Sequence, residues 1–383
     1  MPRTRSTTLP SRALLGALLP LLAACDVRGA AATSTTAASD SVYIGVAAAR
    51  DNGTDTYFRG VQLAVDRLNA ERPANARPFA LAMPPEAQPT QVAVAAQFRD
   101  DPRVIAVVGH TGSAQTMEAA PVYADLEDGG RRALAAVTPT ATNPAVTRDG
   151  EWVFRVCPTD VDGARALARH ALDSLGVRTV AVIYRNDLFG RGFTNALARE
   201  LAQGGARVTE RDPYLGGLTE YRAYTARATR NGVDALVVAG GGPDAADIIR
   251  TLRAVRGTAR VLGSDDIASL GDHPETQREF RGTRYVTFYE PTSAPGDEAA
   301  QFRAKYRTAN GVDPTQQAAL SYDAAMVIGR AVLAVGADRK KVRDRIAATG
   351  TTAPAHQGVT GRIAFDAQGD AVGKSVSIGE VGR

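Results

Sequence analysis

The stretch "TVAVIYRNDLFGRGFTNALARELAQGG", residues 179–205, decides the fold. Its first six residues are an apolar run rich in β-branched side chains and read as a buried strand. A polar segment with two glycines, "RNDLFGRG", ends the run, and "FTNALARELAQGG" continues with helical spacing. A strand, a glycine-bearing exit and a helix form the first half of a βαβ unit. The same order has already run its course upstream, so here the pattern restarts.

The upstream series begins with the strand "VYIGVA" and the helix "FRGVQLAVDRLNA", where Phe58, Val61, Val65 and Leu68 recur on one face. It continues through "FALAM", a helix over "QVAVAAQF", the strand "VIAVVG", a helix over "EAAPVYADL" and the strand "ALAAV". After "WVFRVC" and a helix over "ARALARHALDSL", the opening stretch starts the second series. That series adds "ALVVAGGG", the helix "DAADIIRTLRAV", "RVLGSDD" and "RYVTFYE". Helical segments are expected at 296–309, 315–335 and 338–348. The closing "GRIAFDAQGDAVGKSVSIGEV" reads as a β-hairpin with Gly369 and Asp370 in its turn. The fold class is therefore α/β, with two doubly wound parallel-sheet lobes.

In open parallel sheets ligands bind beyond the carboxyl ends of the strands. Five polar or glycine-rich exits occupy such ends: "VVGHTGSAQT", "VTPTATNP", "YRNDLFGRG", "VVAGGGPD" and "VLGSDD". They come from both series, which points to a cleft between two lobes.

The first 24 residues stand apart. Arg3, Arg5 and Arg12 precede the short apolar run "ALLGALLPLLAA", which is too short for a membrane span and reads as an export signal. Leu22-Ala23-Ala24-Cys25 resembles the lipoprotein signal of bacteria, in which the cysteine is acylated. A plain secretory signal with a chance cysteine is the alternative. Residues 26–40, "DVRGAAATSTTAASD", are small and polar and read as a flexible tether. No later segment reads as long enough to cross a membrane.

Of 45 basic residues, removal of the three arginines leaves 42 against 41 acidic ones, so the exported chain is near neutral and nucleic-acid binding has no electrostatic support. With Cys25 lipidated, Cys157 has no partner for an internal disulfide.

Catalytic arrangements are eliminated in turn. "GDAVGKS", 369–375, places three residues between its glycines where a phosphate loop needs four. Gly240-Gly241-Gly242-Pro243-Asp244-Ala245 follows a strand and opens a helix in the manner of a dinucleotide-binding turn, with Asp265 where a ribose-binding acid would stand. It is not the first unit of its lobe, and an exported protein has little access to nicotinamide cofactors. His110, His170, His273 and His356 have no paired spacing, so no metal site is expected, and no cofactor. Ser113 lacks the second glycine of a nucleophile elbow, and His110 reads as a hydrogen-bonded loop residue.

Binding fits the exits better. Ser113 precedes a helix and reads as its N-cap, at an end whose free N–H groups suit a carboxylate. Thr140 and Thr142, two apart on a segment that Pro139 and Pro144 keep non-helical, can point their hydroxyls the same way. Asp265 and Asp266 end a strand of the other lobe and could meet an ammonium; equally, one of them could cap the next helix. Phe189 reads as a lid aromatic or a core residue, and Tyr57 as a weaker candidate.

Together these pieces resemble the branched-chain amino-acid-binding proteins of bacterial ABC importers, the type I periplasmic binding proteins. "FRGVQLAVDRLNA", "VIAVVGHTGSAQT", "AVTPTATNPAVT", "VFRVCPTD", "VAVIYRNDLFGRGF", "DALVVAGGGPDAADIIR", "VLGSDD", "SYDAAMVIGRAV" and "GRIAFDAQGD" carry the likeness in family order. The resemblance implies two lobes joined by a three-crossing hinge, with crossings near Arg155–Thr159, Phe288–Pro291 and Ala353–Gly361. It implies a first lobe of 41–155 plus 291–352 and a second of 156–290 plus 353–383. It implies that Ser113, Thr140 and Thr142 hold a ligand α-carboxylate, that Asp265 takes the α-ammonium, and that Phe189 covers the ligand. The partners it implies are a small solute, an ABC permease and, through Cys25, a membrane.

Two departures bear on the solute. Gly241 stands at the fourth exit where many members carry an aromatic, and "AAARDNGTDTYF" replaces a longer first loop. Gly241 is thus also expected at the ligand. Relatives of this fold bind amides, aromatic acids and other small anions as well as amino acids. The expected function is solute delivery to a permease; the alternative is a sensing module for a membrane receptor.

Overall fold

The computed structural model describes residues 41–382 except 49–55, 85–89, 149–150, 219, 231, 273 and 293–295. The expected export signal, Cys25, the tether and most of the first exit loop lie outside the described residues, as does His273.

The first lobe is built from β1 (Val42–Ala47), α1 (Thr56–Glu71), β2 (Phe79–Ala82), α2 (Gln91–Asp100), β3 (Val104–Gly109), α3 (Ser113–Tyr123), β4 (Ala135–Thr138), α4 (Ala145–Arg148) and β5 (Val153–Arg155). Its strands are parallel in the order β2-β1-β3-β4-β5. All six residues of β3 are buried, which is why that strand reads as one continuous apolar run: helices cover both faces of a parallel sheet.

The second lobe follows with α5 (Asp160–Arg169), β6 (Thr179–Arg185), α6 (Leu188–Gln203), β7 (Arg207–Tyr214), α7 (Arg222–Thr229), β8 (Ala235–Ala239), α8 (Gly242–Ala254), β9 (Arg260–Gly263), α9 (Pro274–Glu279) and β10 (Arg284–Thr287). Its parallel strands run β7-β6-β8-β9-β10, the same winding as the first lobe. In both sheets the strand order reverses beside the first strand, between β1 and β3 and between β6 and β8. Those two switch points fix where exits can converge on a ligand. The two-lobe, doubly wound α/β fold is as expected.

The chain then adds α10 (Asp297–Asn310), α11 (Gln316–Val335), α12 (Arg339–Ala347), the short pair β11 (His356–Gly358) and β12 (Gly361–Ile363), and β13 (Ser377–Glu380). α11 is the core helix of the first lobe. A Cβ at Gly60 of α1 would lie 2.1 Å from the Ala318 carbonyl oxygen, and one at Gly329 would lie 2.1 Å from Leu68 Cδ1, so glycine on each helix permits their close approach. By length and composition α11 alone among the described residues would suffice to cross a membrane, which the sequence reading did not expect; 78% of its apolar window is buried inside the protein, so it is a core helix.

Three expectations need correction. β7 and α7 were not anticipated, because β7 is an edge strand with alternate exposed charges, "RVTERDPY", and carries no apolar run. The closing hairpin is confined to its tip, where Phe365 and Ala371 pair antiparallel, Asp366 N–H bonds the Asp370 carbonyl and Val372 N–H the Ala364 carbonyl. Its arms part: β12 pairs with β11, and β13 pairs antiparallel with β10 at the edge of the second sheet. Finally, residues 353–371 stay with the first lobe, not the second. The Asp323 carboxylate of α11 accepts from Val359 N–H (2.8 Å) and Thr360 N–H (2.9 Å), and the Phe154 and Phe365 rings pack 5.4 Å apart. The third passage between lobes therefore lies between Ala371 and Ser377.

Candidate functional site

A cleft of about 470 Å³ opens at the carboxyl ends of both sheets, within the range of roughly 300–1,000 Å³ common for small-molecule sites. The first lobe contributes Tyr57, Thr111, Gly112, Ser113, Ala114, Gln115 and Thr140; the second contributes Arg185, Asp187, Phe189 and Asp266. Every one of these residues comes from a strand exit or the helix start that follows it.

On the first lobe, α3 begins at Ser113, and its cap is Gly112 without any side-chain cap bond. Ser113 is therefore not the N-cap it was expected to be. Its Oγ accepts instead from the Asn143 backbone N–H at 3.2 Å, tying the helix start to the Thr-rich segment. The first-turn amides of α3 have no partner within the helix and stand at the cleft with the positive end of the helix dipole. Thr140 donates to the Thr111 carbonyl (2.7 Å) and shares a 3.2 Å contact with the Tyr57 hydroxyl, so Tyr57 belongs to the same wall.

Thr142 does not join Thr140 there. The chain bends at Pro139 and Thr140, so the alternation of an extended strand fails across them. Thr142 is buried, does not line the open cleft, and its Oγ1 has no hydrogen-bond partner. Beside it is Asp160, the first residue of α5, whose N–H bonds the Thr142 carbonyl at 2.8 Å. Asp160 is 2% exposed, and its carboxylate has the Thr142 hydroxyl and the Asn143 amide beside it, neither in full hydrogen-bond geometry. Burial pushes its carboxyl up to about 7.

On the second lobe, Arg185 ends β6 and its Nε donates to Asp187 at 2.6 Å. Asp187 caps α6, its other oxygen accepting from Gly190 N–H at 2.8 Å. Asp266 lies 3.6 Å from Arg185 Nη2 and faces the cleft. Asp265 sits behind it, 4% exposed, with its carboxyl raised well above the usual range by burial and by the neighbouring Asp266 and Asp160. Neither acid caps the following turn by a side-chain bond. Phe189 lines the cleft although nearly buried, its ring 6.0 Å from Phe193. Gly241 does not reach the cleft surface; a Cβ there would stand 3.0 Å from Arg185 Nη1.

The glycines at 240–242 serve the protein's own side chains. A Cβ at Gly240 would meet the Tyr214 hydroxyl at 2.0 Å, and one at Gly242 would meet Ser269 Oγ at 2.1 Å. The space these glycines leave open is filled by Tyr214 and Ser269, and Asp244 is held by Tyr221 OH at 2.9 Å. Lys374 of the other glycine-bearing stretch donates to Thr360 O (2.8 Å) and Thr360 Oγ1 (2.6 Å). His110 is a structural residue, its ring nitrogens bonded to Gln91 (2.6 Å) and Tyr123 (2.9 Å), and burial lowers it to about 4.

A sequence profile of the family described as periplasmic binding protein matches residues 41–382. The chain belongs to that family. Its relatives include an "Amino acid binding protein" of Pseudomonas aeruginosa, 29% identical over 318 residues that cover 80% of this chain and 81% of that one. The Leu/Ile/Val-binding protein of Escherichia coli K12 is 26% identical over 65% of this chain and 67% of its own length. Among solved structures, a leucine-binding protein, LivK, from Thermotoga maritima superposes with a TM-score of 0.78 at 27% identity, covering 89% of this chain and 95% of that one. A solute-binding protein of R. palustris in complex with benzoate shares the fold, with a TM-score of 0.76 at 15% identity and coverage of 89% and 93%. The expected resemblance to the branched-chain amino-acid-binding proteins therefore holds, and the protein is a solute-binding protein and not an enzyme.

In this periplasmic binding protein, sequence reasoning missed Arg185, Asp187 and Asp160. The first two carry the ordinary charges of any strand exit, and only the location of Arg185 at the switch point beside β8 could have singled it out. Asp160 directly follows the expected crossing at Arg155–Thr159; its signal was the buried carboxylate that only the folded structure reveals.

Proposed function

We propose that this chain is a lipid-anchored, extracytoplasmic solute-binding protein that delivers an amino acid or a close analogue to an ABC permease. The observation that carries the reading is the opposition across one cleft of an anion-accepting wall and an acidic one. Ser113, Thr140 and the free amides of α3 face Asp266, with Asp265 buried behind it. The first wall suits an α-carboxylate and the second an α-ammonium. Charge-assisted hydrogen bonds contribute roughly 1.5–3 kcal/mol each, and four or five, less the cost of association, reach the roughly 8 kcal/mol of micromolar binding.

In this reading Ser113 and Thr140 serve the carboxylate from the open cleft, Phe189 covers the ligand, and the buried Thr142 and Asp265 join the carboxylate and the ammonium only as the lobes close. Gly241 leaves room for Arg185. Once the lobes close, Thr142 supplies a hydroxyl donor and Asp160 a further acceptor. The first lobe comprises 41–155 and 291–352 together with 353–371; the second holds 156–290 and the last strand. Export through residues 1–24 and acylation of Cys25 complete the assignment.

A thermal-shift screen of the purified protein against α-amino acids, amides, polyamines and small carboxylates tests it. Ligand at a hundred times its dissociation constant stabilises by about 2.7 kcal/mol. Stabilisation by an α-amino acid that Asp265→Ala abolishes is the expected result. Stabilisation only by a solute without an amine would remove the ammonium assignment.

A further inference from the structure

The geometry points to Arg185 as the residue that selects the solute's side chain, and to an α-amino acid whose side chain ends in a planar oxygen-bearing group, a carboxylate or a carboxamide. This rests on the reading of the cleft as an amino-acid site.

Arg185 is held in place and left incomplete. Its stem runs over a floor of glycines: a Cβ at Gly216 would lie 3.3 Å from Arg185 Cδ, one at Gly240 would lie 3.4 Å from Cβ, and one at Gly241 would lie 3.0 Å from Nη1. Nε is committed to Asp187, which is itself locked as the cap of α6. The two terminal nitrogens have no acceptor within hydrogen-bond distance among the described residues, since Asp266 stands off at 3.6 Å. The result is a fixed guanidinium fork with its outer donors free at the wall of the cleft. Such a fork matches acceptor oxygens in a plane: both oxygens of a carboxylate, or the single oxygen of a carboxamide whose NH₂ turns away from the fork.

The rest of the cleft argues against a branched aliphatic side chain. Among the described residues Ala114 is the one aliphatic group of its lining; Tyr57 and Phe189 supply aromatic surface, and the others are polar, glycine or charged. A leucine side chain placed against Arg185, Asp187 and Asp266 would strip water from three charges and return no hydrogen bond. A carboxylate or carboxamide would occupy the fork directly. Asp266 discriminates between the two, because beside Nη2 it can accept from a carboxamide NH₂ but repels a second carboxylate.

Isothermal titration of the purified protein with glutamate, aspartate, glutamine, asparagine, leucine, isoleucine and valine tests the assignment. At least one of the first four should bind tenfold or more tightly than all three aliphatic amino acids. Arg185→Leu should erase or reverse that preference, and Arg185→Lys, which keeps the charge but not the fork, should fall between. Asp266→Asn should shift preference from carboxamide toward carboxylate. Circular dichroism melts verify that each variant is folded. Tightest binding of leucine, isoleucine or valine to the wild type, or an unchanged ranking in folded Arg185→Leu, overturns the role of Arg185 while leaving the amino-acid site standing. Binding of none of the seven, and of no other α-amino acid, overturns both.

Discussion

Asn143 of the first lobe donates its side-chain Nδ2 to the Leu188 carbonyl at the start of α6, 3.1 Å away, and so bridges the two walls of the cleft. A Cβ at Gly192, one turn along the same helix, would lie 2.4 Å from that nitrogen. The lobes meet here with no room for a methyl group. Gly192→Ala is therefore expected to hold the lobes apart and weaken ligand binding at least tenfold. Asn143→Ala should weaken it only about fivefold, the value of one net hydrogen bond of about 1 kcal/mol. Small-angle scattering with saturating ligand should show the Gly192 variant more extended than the wild type; equal compaction would put the contact outside the closing motion.

Ser113 Oγ provides the acceptor for Asn143 N–H and stands at the carboxylate wall. Ser113→Ala should cost about 1 kcal/mol of stability by orphaning that amide, and about tenfold in affinity. Melts and titrations on the same preparation separate the two effects. Lost stability with unchanged affinity would limit Ser113 to tethering the Thr-rich segment.

Asp160 makes stability depend on pH in an uncommon direction. Burial raises its carboxyl to about 7, while in the unfolded chain it titrates near 3.9. Between those values the folded state holds a proton that the unfolded state has lost, so stability is greatest at the acid end and falls as pH rises toward 7. Asp265 acts with the same sign. In the absence of ligand, Asp160→Asn should flatten the fall between pH 4.5 and 7.5 and be more stable than the wild type at pH 8, by on the order of 3 kcal/mol. Melts across that range check it. An unchanged slope would assign the effect to Asp265 and Asp266.

Arg155 is wholly buried at the end of β5 and reaches three partners: the carbonyls of Ala141 (3.1 Å) and Asn143 (2.7 Å), and Asp370 (2.5 Å). It holds the Thr-rich segment from behind and joins it to the late turn at 366–370. Removing one partner of a buried pair costs roughly 3–5 kcal/mol. Arg155→Met should approach that loss in a denaturant melt, and adding Asp370→Asn should recover part of it, because the stranded carboxylate is then neutral. Full additivity of the two changes would show that the pair is not coupled.

Much of the fold was legible because parallel strands covered on both faces leave long apolar runs, and because glycine and proline mark their exits. β7 escaped because an edge strand needs no such run. At the cleft, Ser113, Thr140, Phe189 and Asp266 stand where their position after a strand put them, with Asp265 behind. Thr142 was misplaced because a bend at Pro139 breaks the alternation that would have set it beside Thr140. Arg185 and Asp160 were invisible for a shared reason: a charge at a strand exit or helix start is ordinary until burial, or the absence of a partner, makes it costly.

The last strand has a mechanical consequence. Ala371 N–H bonds the Arg155 carbonyl at 3.1 Å, so the third connection is stitched to the first, and a few residues on Ser377 pairs with Thr287, where the second connection leaves its sheet. Three separate strings would let the halves twist, slide and tilt independently. Three strings sewn together behave as a single strip, and leave little but a swing about its length. A chain shortened before Ser377 keeps every residue that lines the cleft but loses a seam of that strip, so its halves would wobble instead of swinging.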